Sequence, residues 1–318
     1  MKDALRSFAD QIGSEGPVAV AGGKTHWGVG GWPATGTKEV AAPVGVVAHE
    51  PAEMIVRVGA GTTLEELRST VEEGGQFVAL EADDPSKATV GGVLAVGLGG
   101  YRRLGWGPVR DSVLEMTSVT AGGEVLRSGA PLVKNVTGYD LCRLFVGSLG
   151  TLALTGEVVL RCRPIPEAET WWVGEGADPF AVAAGLYRPL SVLWNGIHTW
   201  VGLAGYRVDI EDQARTVLGR AFRPAERPPP LPGRLRRSLT PRDLRALPST
   251  AGVDRPWLAQ VGVGVVHCGE AAAERIGPVG PPSSGVWDLH RALKERFDPA
   301  GRLNPGRSVS GVAAGAGV

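Results

Sequence analysis

Cysteine is scarce in this sequence, and its spacing excludes several classes of protein. Only three cysteines occur among 318 residues, and Cys142, Cys162 and Cys268 lie far apart in the chain. A scattered, odd-numbered set of thiols argues against a disulfide framework. No C-x-x-C pair is present, so the usual cysteine pattern of an iron–sulfur or zinc site is missing. We therefore expect a cytoplasmic protein without a metal site.

The sequence also lacks an excess of either charge and a long apolar run. Lys+Arg and Asp+Glu both number 33, so no overall field favours binding to nucleic acid or to an anionic membrane. No uninterrupted apolar stretch approaches the roughly 20 residues of a membrane-spanning helix. We expect no direct membrane insertion, and association with a membrane through partner proteins stays open.

Glycine, by contrast, is abundant, with 47 residues. Before residue 165, β-rich runs alternate with glycine turns, and residues 62–75 predict a helix with Thr62 or Thr63 as its N-cap. The composition changes after residue 165, and the chain is long enough for two domains. We expect an α+β protein whose parts are, in order, a first domain (1–165), a second domain (166–286) and a returning C-terminal segment (287–318) that is disordered from about 311.

One stretch of the expected second domain has an unusual composition. Residues 226–248 contain six prolines and a cluster of arginines. Such a segment is typical of a mobile loop or linker. A basic recognition patch that docks a partner protein is the alternative, and the sequence does not separate the two.

The stretch VAVAGGKTHWGVGG, residues 18–31, raises the question of nucleotide binding. Gly23-Lys24-Thr25 matches the end of a triphosphate-binding loop, but Val18 stands where that loop needs its first glycine. A Rossmann fingerprint is also absent, because Gly97-Leu98-Gly99 lacks a third glycine at the required spacing. Further glycine-rich stretches follow at 58–67, 89–111 and 146–158. Glycines let backbone N–H groups approach an anion, so together they indicate a long dinucleotide.

The order of these motifs resembles the FAD-binding proteins of the PCMH type, in the vanillyl-alcohol oxidase superfamily. The chain shows, in order, AGGKTH, VGAGTTLEEL, TVGGVLAVGLGGYRRLGWGPVRDSVL, KNVTGYDLCRLFVGSLGTL and DPAGRLNPG. The resemblance is dense over 17–166 and 288–307 and poor between them. It implies a PCMH-type FAD domain of two α/β lobes with an antiparallel α+β cap.

Within this family, KNVTGYDLCRLFVGS is most similar to the small FAD-binding subunit of glycolate oxidase. That resemblance implies oxidation of a small 2-hydroxy acid, in a complex with a larger FAD subunit and an iron–sulfur subunit. A free-standing FAD-dependent alcohol or hydroxy-acid dehydrogenase is the first alternative. The second alternative is a subunit that carries FAD without a substrate site of its own.

The resemblance also implies which residues bind the cofactor. Some relatives attach flavin covalently through a histidine at the position of Thr25, so we expect noncovalent FAD here. Lys24 then need not contact a γ-phosphate. The positions that match the family's FAD-binding segments are Gly22, Gly23, Lys24, Thr25, His26, Pro85, Thr89, Gly91, Gly92, Gly99, Gly100, Asp111, Gly150 and Leu154.

Candidate catalytic residues are few. Oxidation of a 2-hydroxy acid needs a base for the hydroxyl proton and a cation for the carboxylate. Larger relatives carry H-x-G-D-G-N-x-H in the cap, whereas QVGVGVVH here keeps His267 but has Gln260 in place of the first histidine. His267 is therefore a weak catalytic candidate. A strand with so few polar side chains favours a subunit that carries FAD without a substrate site over a free-standing dehydrogenase. Arg102 and Arg103 are open to FAD phosphate, substrate or solvent.

Overall fold

The computed structural model describes residues 2–130, 140–233, 235–247, 256–269, 272 and 284–308. The chain forms two compact units. Unit 1 comprises Met1–Gly99, Pro108–Ile165 and Pro282–Val312, and unit 2 comprises Gly100–Gly107, Pro166–Pro281 and Ala313–Val318. Within the described ranges, no helix has the length and apolar character needed to cross a membrane.

The helices and strands confirm the predicted α+β class. The helices are α1 (Lys2–Ile12), α2 (Leu64–Glu72), α3 (Val90–Val96), α4 (Arg103–Trp106), α5 (Leu141–Phe145), α6 (Pro179–Gly185), α7 (Arg207–Gln213), α8 (Pro241–Arg245) and α9 (Ser284–Phe297). The strands are β1 (Val18–Val20), β2 (Lys38–Val40), β3 (Val46–Glu50), β4 (Ile55–Gly59), β5 (Gln76–Val78), β6 (Val113–Val119), β7 (Val125–Gly129), β8 (Leu154–Pro164), β9 (Ala168–Glu175), β10 (Ser191–Trp194), β11 (His198–Gly205), β12 (Phe222–Ala225), β13 (Leu235–Ser238), β14 (Trp257–Gln260) and β15 (Val265–Cys268).

Unit 1 is built on a sheet in the order β3-β4-β8-β6-β7, with β5 paired to β8 and a separate parallel pair β1-β2. Alternate residues of β8, including Val158 and Leu160, point into the core. The helix predicted in 62–75 is confirmed as α2, and its N-cap is Thr63, whose hydroxyl accepts the Glu66 N–H at 3.1 Å.

The C-terminal segment packs into unit 1 after α9. Leu303 pairs with Val18 of β1. The Arg302 guanidinium donates to five backbone carbonyls, at Ile12, Gly13, Glu15, Gly16 and Ala121, over 2.7–3.0 Å. These bonds connect the C-terminal segment to the end of α1 and to Ala121. The tail predicted to be disordered from about 311 lies outside the described residues.

Unit 2 contains a seven-stranded antiparallel sheet in the order β12-β9-β11-β10-β14-β15-β13. Residues 100–107 belong to this unit, where the Gly105 N–H donates to the Leu190 carbonyl at 3.1 Å.

The interpretation of 226–248 as a loop or linker is wrong for part of that segment. β13 forms the edge of the sheet, and α8 follows it with Thr240 as its N-cap. Pro241 starts the helix, a position where proline's missing N–H costs nothing, and Leu244 is buried. Proline thus initiates local structure here.

Candidate functional site

A cleft in unit 1 gathers most of the residues predicted to bind a cofactor. Together with the open solvent at its mouth, the cleft encloses about 850 Å³ of space that no protein atom fills. The predicted residues that line it are Gly22, Gly23, Lys24, Thr25, His26, Thr89, Gly91, Gly92, Gly150 and Leu154.

Four predicted residues are not among those that line the cleft. The Pro85 carbonyl accepts the Glu65 N–H at the start of α2. Asp111 forms an ion pair with Arg143 at 3.1 Å. Gly99 ends one stretch of unit 1, and Gly100 begins the 100–107 stretch of unit 2.

The loop after β1 presents backbone donors to the cleft. Within the described parts of the chain, the N–H groups of Gly22, Gly23, Lys24 and Thr25 have no hydrogen-bond acceptor. Lys24 adopts a left-handed backbone conformation with φ of 54°, which is typical of an anion-binding nest. The loop therefore fits an anionic group such as a diphosphate.

The Lys24 side chain points to a different partner. Its Nζ pairs with Glu39 at 2.6 Å and lies 4.8 Å from the centroid of Trp27. Lys24 thus has an anionic partner within the protein, in contrast to the lysine of a triphosphate-binding loop.

The glycines of the cleft also have a packing role that sequence reasoning missed. A Cβ on Gly23 would lie 1.7 Å from the Lys87 carbonyl oxygen, and a Cβ on Gly22 would lie 2.4 Å from Thr89 Oγ1. A Cβ on Gly91 would lie 2.9 Å from the Ala60 Cβ. Since such contacts are too short, these glycines let three loops of the protein approach one another and form the cleft wall.

Further cleft residues come from segments far apart in sequence. The Trp27 ring is in contact with two cations, Lys24 and Arg307, and the Arg307 Cζ is 4.3 Å from the ring centroid. Arg307 Nη2 donates to the Trp27 carbonyl at 2.8 Å, and burial lowers the Arg307 pKa. Asn304 Nδ2 donates to the Leu149 carbonyl at 2.9 Å. The terminal motif DPAGRLNPG was the available signal for this end of the chain.

Three buried polar atoms of the cleft are left without a hydrogen-bond partner among the residues described. They are Ser148 Oγ, Asn304 Oδ1 and Arg307 Nε. Buried polar atoms in folded proteins are nearly always bonded. Together with the donor loop, these atoms fit a bound ligand with several polar groups, as FAD has.

His267, the candidate catalytic residue, lies on β15 in unit 2. Its Nε2 is 2.7 Å from Gln260 Nε2, and its ring meets Tyr101 edge-on at a centroid distance of 5.8 Å. Burial and the nearby Arg236 charge lower the His267 pKa to about 4. The imidazole is therefore neutral at pH 7.

The cysteines lack the features of a reactive site. All three are buried, and burial raises their pKa values, to about 11 for Cys162. Thiols that stay protonated at pH 7 are poor nucleophiles. Over the described ranges, no group of three or more His, Cys, Asp or Glu side chains is arranged to hold a metal ion.

Comparison with known proteins finds a match to a family model and matches to individual relatives. A family model described as an FAD binding domain matches residues 13–129. Glycolate oxidase subunit GlcE of Escherichia coli is 31% identical, and the match covers 95% of each chain. Glycolate oxidase subunit GlcD of Bacillus subtilis is 40% identical over 34% of this chain and 23% of its own.

A bovine relative and a solved structure extend these matches. D-2-hydroxyglutarate dehydrogenase of Bos taurus is 41% identical over 34% of this chain and 20% of its own. A structure of alkyldihydroxyacetonephosphate synthase is similar with a TM-score of 0.69 at 15% identity, covering 96% of this chain and 74% of that chain. At that identity the structural match establishes the fold.

Proposed function

The chain belongs to the PCMH-type FAD-binding oxidoreductases, and from this premise we propose that it is the FAD-binding subunit of a complex that oxidises a 2-hydroxy acid. The proposal is carried by one observation above the others. The cleft of unit 1 combines a loop of N–H donors with three buried polar atoms, and neither the donors nor the atoms have a hydrogen-bond partner among the described residues. That combination suits a large, polar, anionic cofactor.

Different segments of this chain bind different parts of FAD. The N–H groups of residues 22–25 bind the anionic diphosphate, while Asn304 and Ser148 supply polar contacts from the other segments. When bound, FAD accepts the two electrons of an alcohol oxidation. Thr25 offers no nitrogen for a covalent flavin bond, so the cofactor is held noncovalently. Acid precipitation should release all of the flavin into solution, and colour in the pellet would contradict noncovalent binding.

The substrate class and the complex are inferred from the relatives. The E. coli relative that matches over nearly its whole length is named a subunit of glycolate oxidase, and shorter matches carry the names D-lactate dehydrogenase and D-2-hydroxyglutarate dehydrogenase. All three names refer to 2-hydroxy acids. The sequence contains no C-x-x-C pair with which to hold an iron–sulfur cluster of its own, and the E. coli relative is named a subunit. From these two observations together we infer that electrons leave the flavin through a partner that carries such a cluster.

The experiment is anaerobic flavin reduction in the assembled complex. The chain is co-expressed and co-purified with a larger flavoprotein subunit and an iron–sulfur subunit, and glycolate or D-lactate is added without oxygen. Bleaching of the visible flavin band is expected with a hydroxy acid and not with ethylene glycol, a matched alcohol without a carboxylate. An unchanged flavin spectrum with every 2-hydroxy acid tried would refute the proposed substrate class.

A further inference from the structure

Two positively charged side chains of the cleft in unit 1 share one aromatic neighbour. Lys24 Nζ lies 4.8 Å and Arg307 Cζ lies 4.3 Å from the centroid of the Trp27 ring. Both residues line the cleft, and Lys24 belongs to the donor loop of residues 22–25. The cleft therefore carries two cations in addition to the N–H groups that fit a diphosphate.

One carboxylate interacts with both cations. The Glu39 Oε2 atom lies 2.6 Å from Lys24 Nζ. Burial lowers the Arg307 pKa, and the negative charge of Glu39 acts on it in the opposite direction. Glu39 is therefore close enough to attract the Arg307 guanidinium as well as the Lys24 ammonium.

The fold fixes Glu39 beside the donor loop. β2 pairs with β1 in parallel, with Glu39 opposite Ala19, and the donor loop directly follows β1. The side chains of Glu39 and Lys24 are 44% and 46% exposed. An ion pair this exposed contributes little to the free energy of unfolding, so Lys24 can exchange Glu39 for another anion at low cost.

A diphosphate bound to the donor loop would be that competing anion. The Lys24 side chain starts from the loop itself, so its ammonium can interact either with Glu39 or with an anion held by the neighbouring N–H groups. Glu39 also repels such an anion directly, because both are negative. The carboxylate thus opposes binding in two ways, by repulsion and by holding Lys24.

We propose that Glu39 is a counter-anion of the cofactor cleft, which competes with the diphosphate of FAD for Lys24 and thereby sets the affinity of the chain for FAD. This inference rests on the FAD-binding role in the proposed function. Glu39 is not among the described residues that line the cleft. It acts through Lys24 and is a positioning residue, which weakens cofactor binding rather than supporting it.

The test is the Kd for FAD of the full-length apoprotein, measured by flavin fluorescence. Glu39→Gln removes the charge but keeps an oxygen that can accept a hydrogen bond from Lys24, so it isolates the electrostatic effect. FAD should bind about 3- to 10-fold more tightly to this variant at low salt. The gain should shrink in about 0.5 M NaCl, since exposed charges are screened. Glu72→Gln, an exposed carboxylate at the end of α2, is the matched control and should keep the wild-type Kd.

A second background tests whether Glu39 acts through Lys24. Lys24→Met removes the ammonium and keeps a long, unbranched side chain. In this background Glu39→Gln should improve FAD binding only about twofold, because direct repulsion alone is relieved. Unchanged or weaker FAD binding by Glu39→Gln, or an equal gain with and without Lys24, would overturn the counter-anion role.

This inference and the proposed function fail in different ways. If the wild-type chain binds FAD and Glu39→Gln has the same Kd, the cofactor assignment stands and the counter-anion role is wrong. If Glu39→Gln tightens FAD binding but no 2-hydroxy acid reduces the flavin of the assembled complex, the counter-anion role stands and the proposed substrate class is wrong.

Discussion

At the scale of single residues, Gly92 tests whether the first turn of α3 forms part of the FAD site. A Cβ there would lie 3.1 Å from Thr89 Oγ1, which caps the helix by accepting the Gly92 N–H. The branched side chain of Gly92→Val would displace the cap and intrude into the cleft. We expect a loss of about 2 to 4 kcal/mol, or about 30- to 1000-fold in the Kd for FAD.

Titration of apoprotein with FAD, followed by flavin fluorescence, measures this Kd. Gly285→Val is the matched control, because Gly285 lies in α9 with no heavy atom within 4 Å of an added Cβ. The same Kd in both variants would remove this turn from the site.

Arg307 is the second residue whose role in the cleft is testable. Its guanidinium stacks on Trp27, and its buried Nε lacks a described partner. Arg307→Gln removes the positive charge near the donor loop, so FAD should bind about 10- to 100-fold more weakly. The affinity of the variant should also depend less on salt, since one screened attraction is gone. Arg296→Gln, on the exposed face of α9, should match wild type; a similar loss in both would show a nonspecific effect of charge.

At the scale of elements, local signals predicted α2 well, because a cap, an acidic first turn and three apolar residues at helical spacing all lie within it. The segment that forms β13 and α8 is harder to predict from its sequence. Its prolines favour a loop by composition, and only pairing with β15 and burial of Leu244 reveal a strand and a helix. Such tertiary contacts override local preference, and the sequence of the segment alone does not contain them.

The edge of the sheet in unit 2 should lose stability in acid because of His267. Its pKa is about 4 in the folded chain, against 6.5 as the ordinary value, owing to burial and Arg236. Tyr101 packs edge-on against His267, and the charge of Arg103 acts on Arg236; neither residue supplies a negative charge. The unfolded chain therefore binds the proton more readily, so stability is lost as pH falls below about 6.5, by roughly 2 kcal/mol at pH 5.

His267→Asn, which does not titrate in this range, isolates that contribution. The difference between its unfolding midpoints in urea at pH 7 and pH 5 should be smaller than the wild-type difference. An equal pH dependence in the two proteins would show that His267 is not held neutral by its surroundings.

At the scale of the whole molecule, the ordered motifs predicted FAD as the cofactor, and most of the residues that they predicted to bind it line the cleft. The motifs did not predict that Arg307 lines the cleft. Its partner Trp27 lies 280 residues earlier in the chain. They also made QVGVGVVH look depleted of polar groups, because the arginine opposite His267 comes from another strand. Both omissions arise from contacts between segments distant in sequence, which only the folded chain brings together.

The last prediction concerns dependence on partner proteins. A flavin reduced by substrate must pass its electrons on, and this sequence has no cysteine pattern for an iron–sulfur cluster. Because the relative that matches over 95% of each chain is named a subunit, we expect the isolated, FAD-loaded chain to show little 2-hydroxy-acid oxidation even with glycolate and an artificial electron acceptor that replaces the missing cluster. Activity should appear on co-expression with a larger flavoprotein subunit and an iron–sulfur subunit, and co-expression with either one alone is the control. If the lone chain turns over glycolate or D-lactate at ordinary enzymatic rates, about 1 to 1000 per second, it is a free-standing dehydrogenase and the subunit proposal fails.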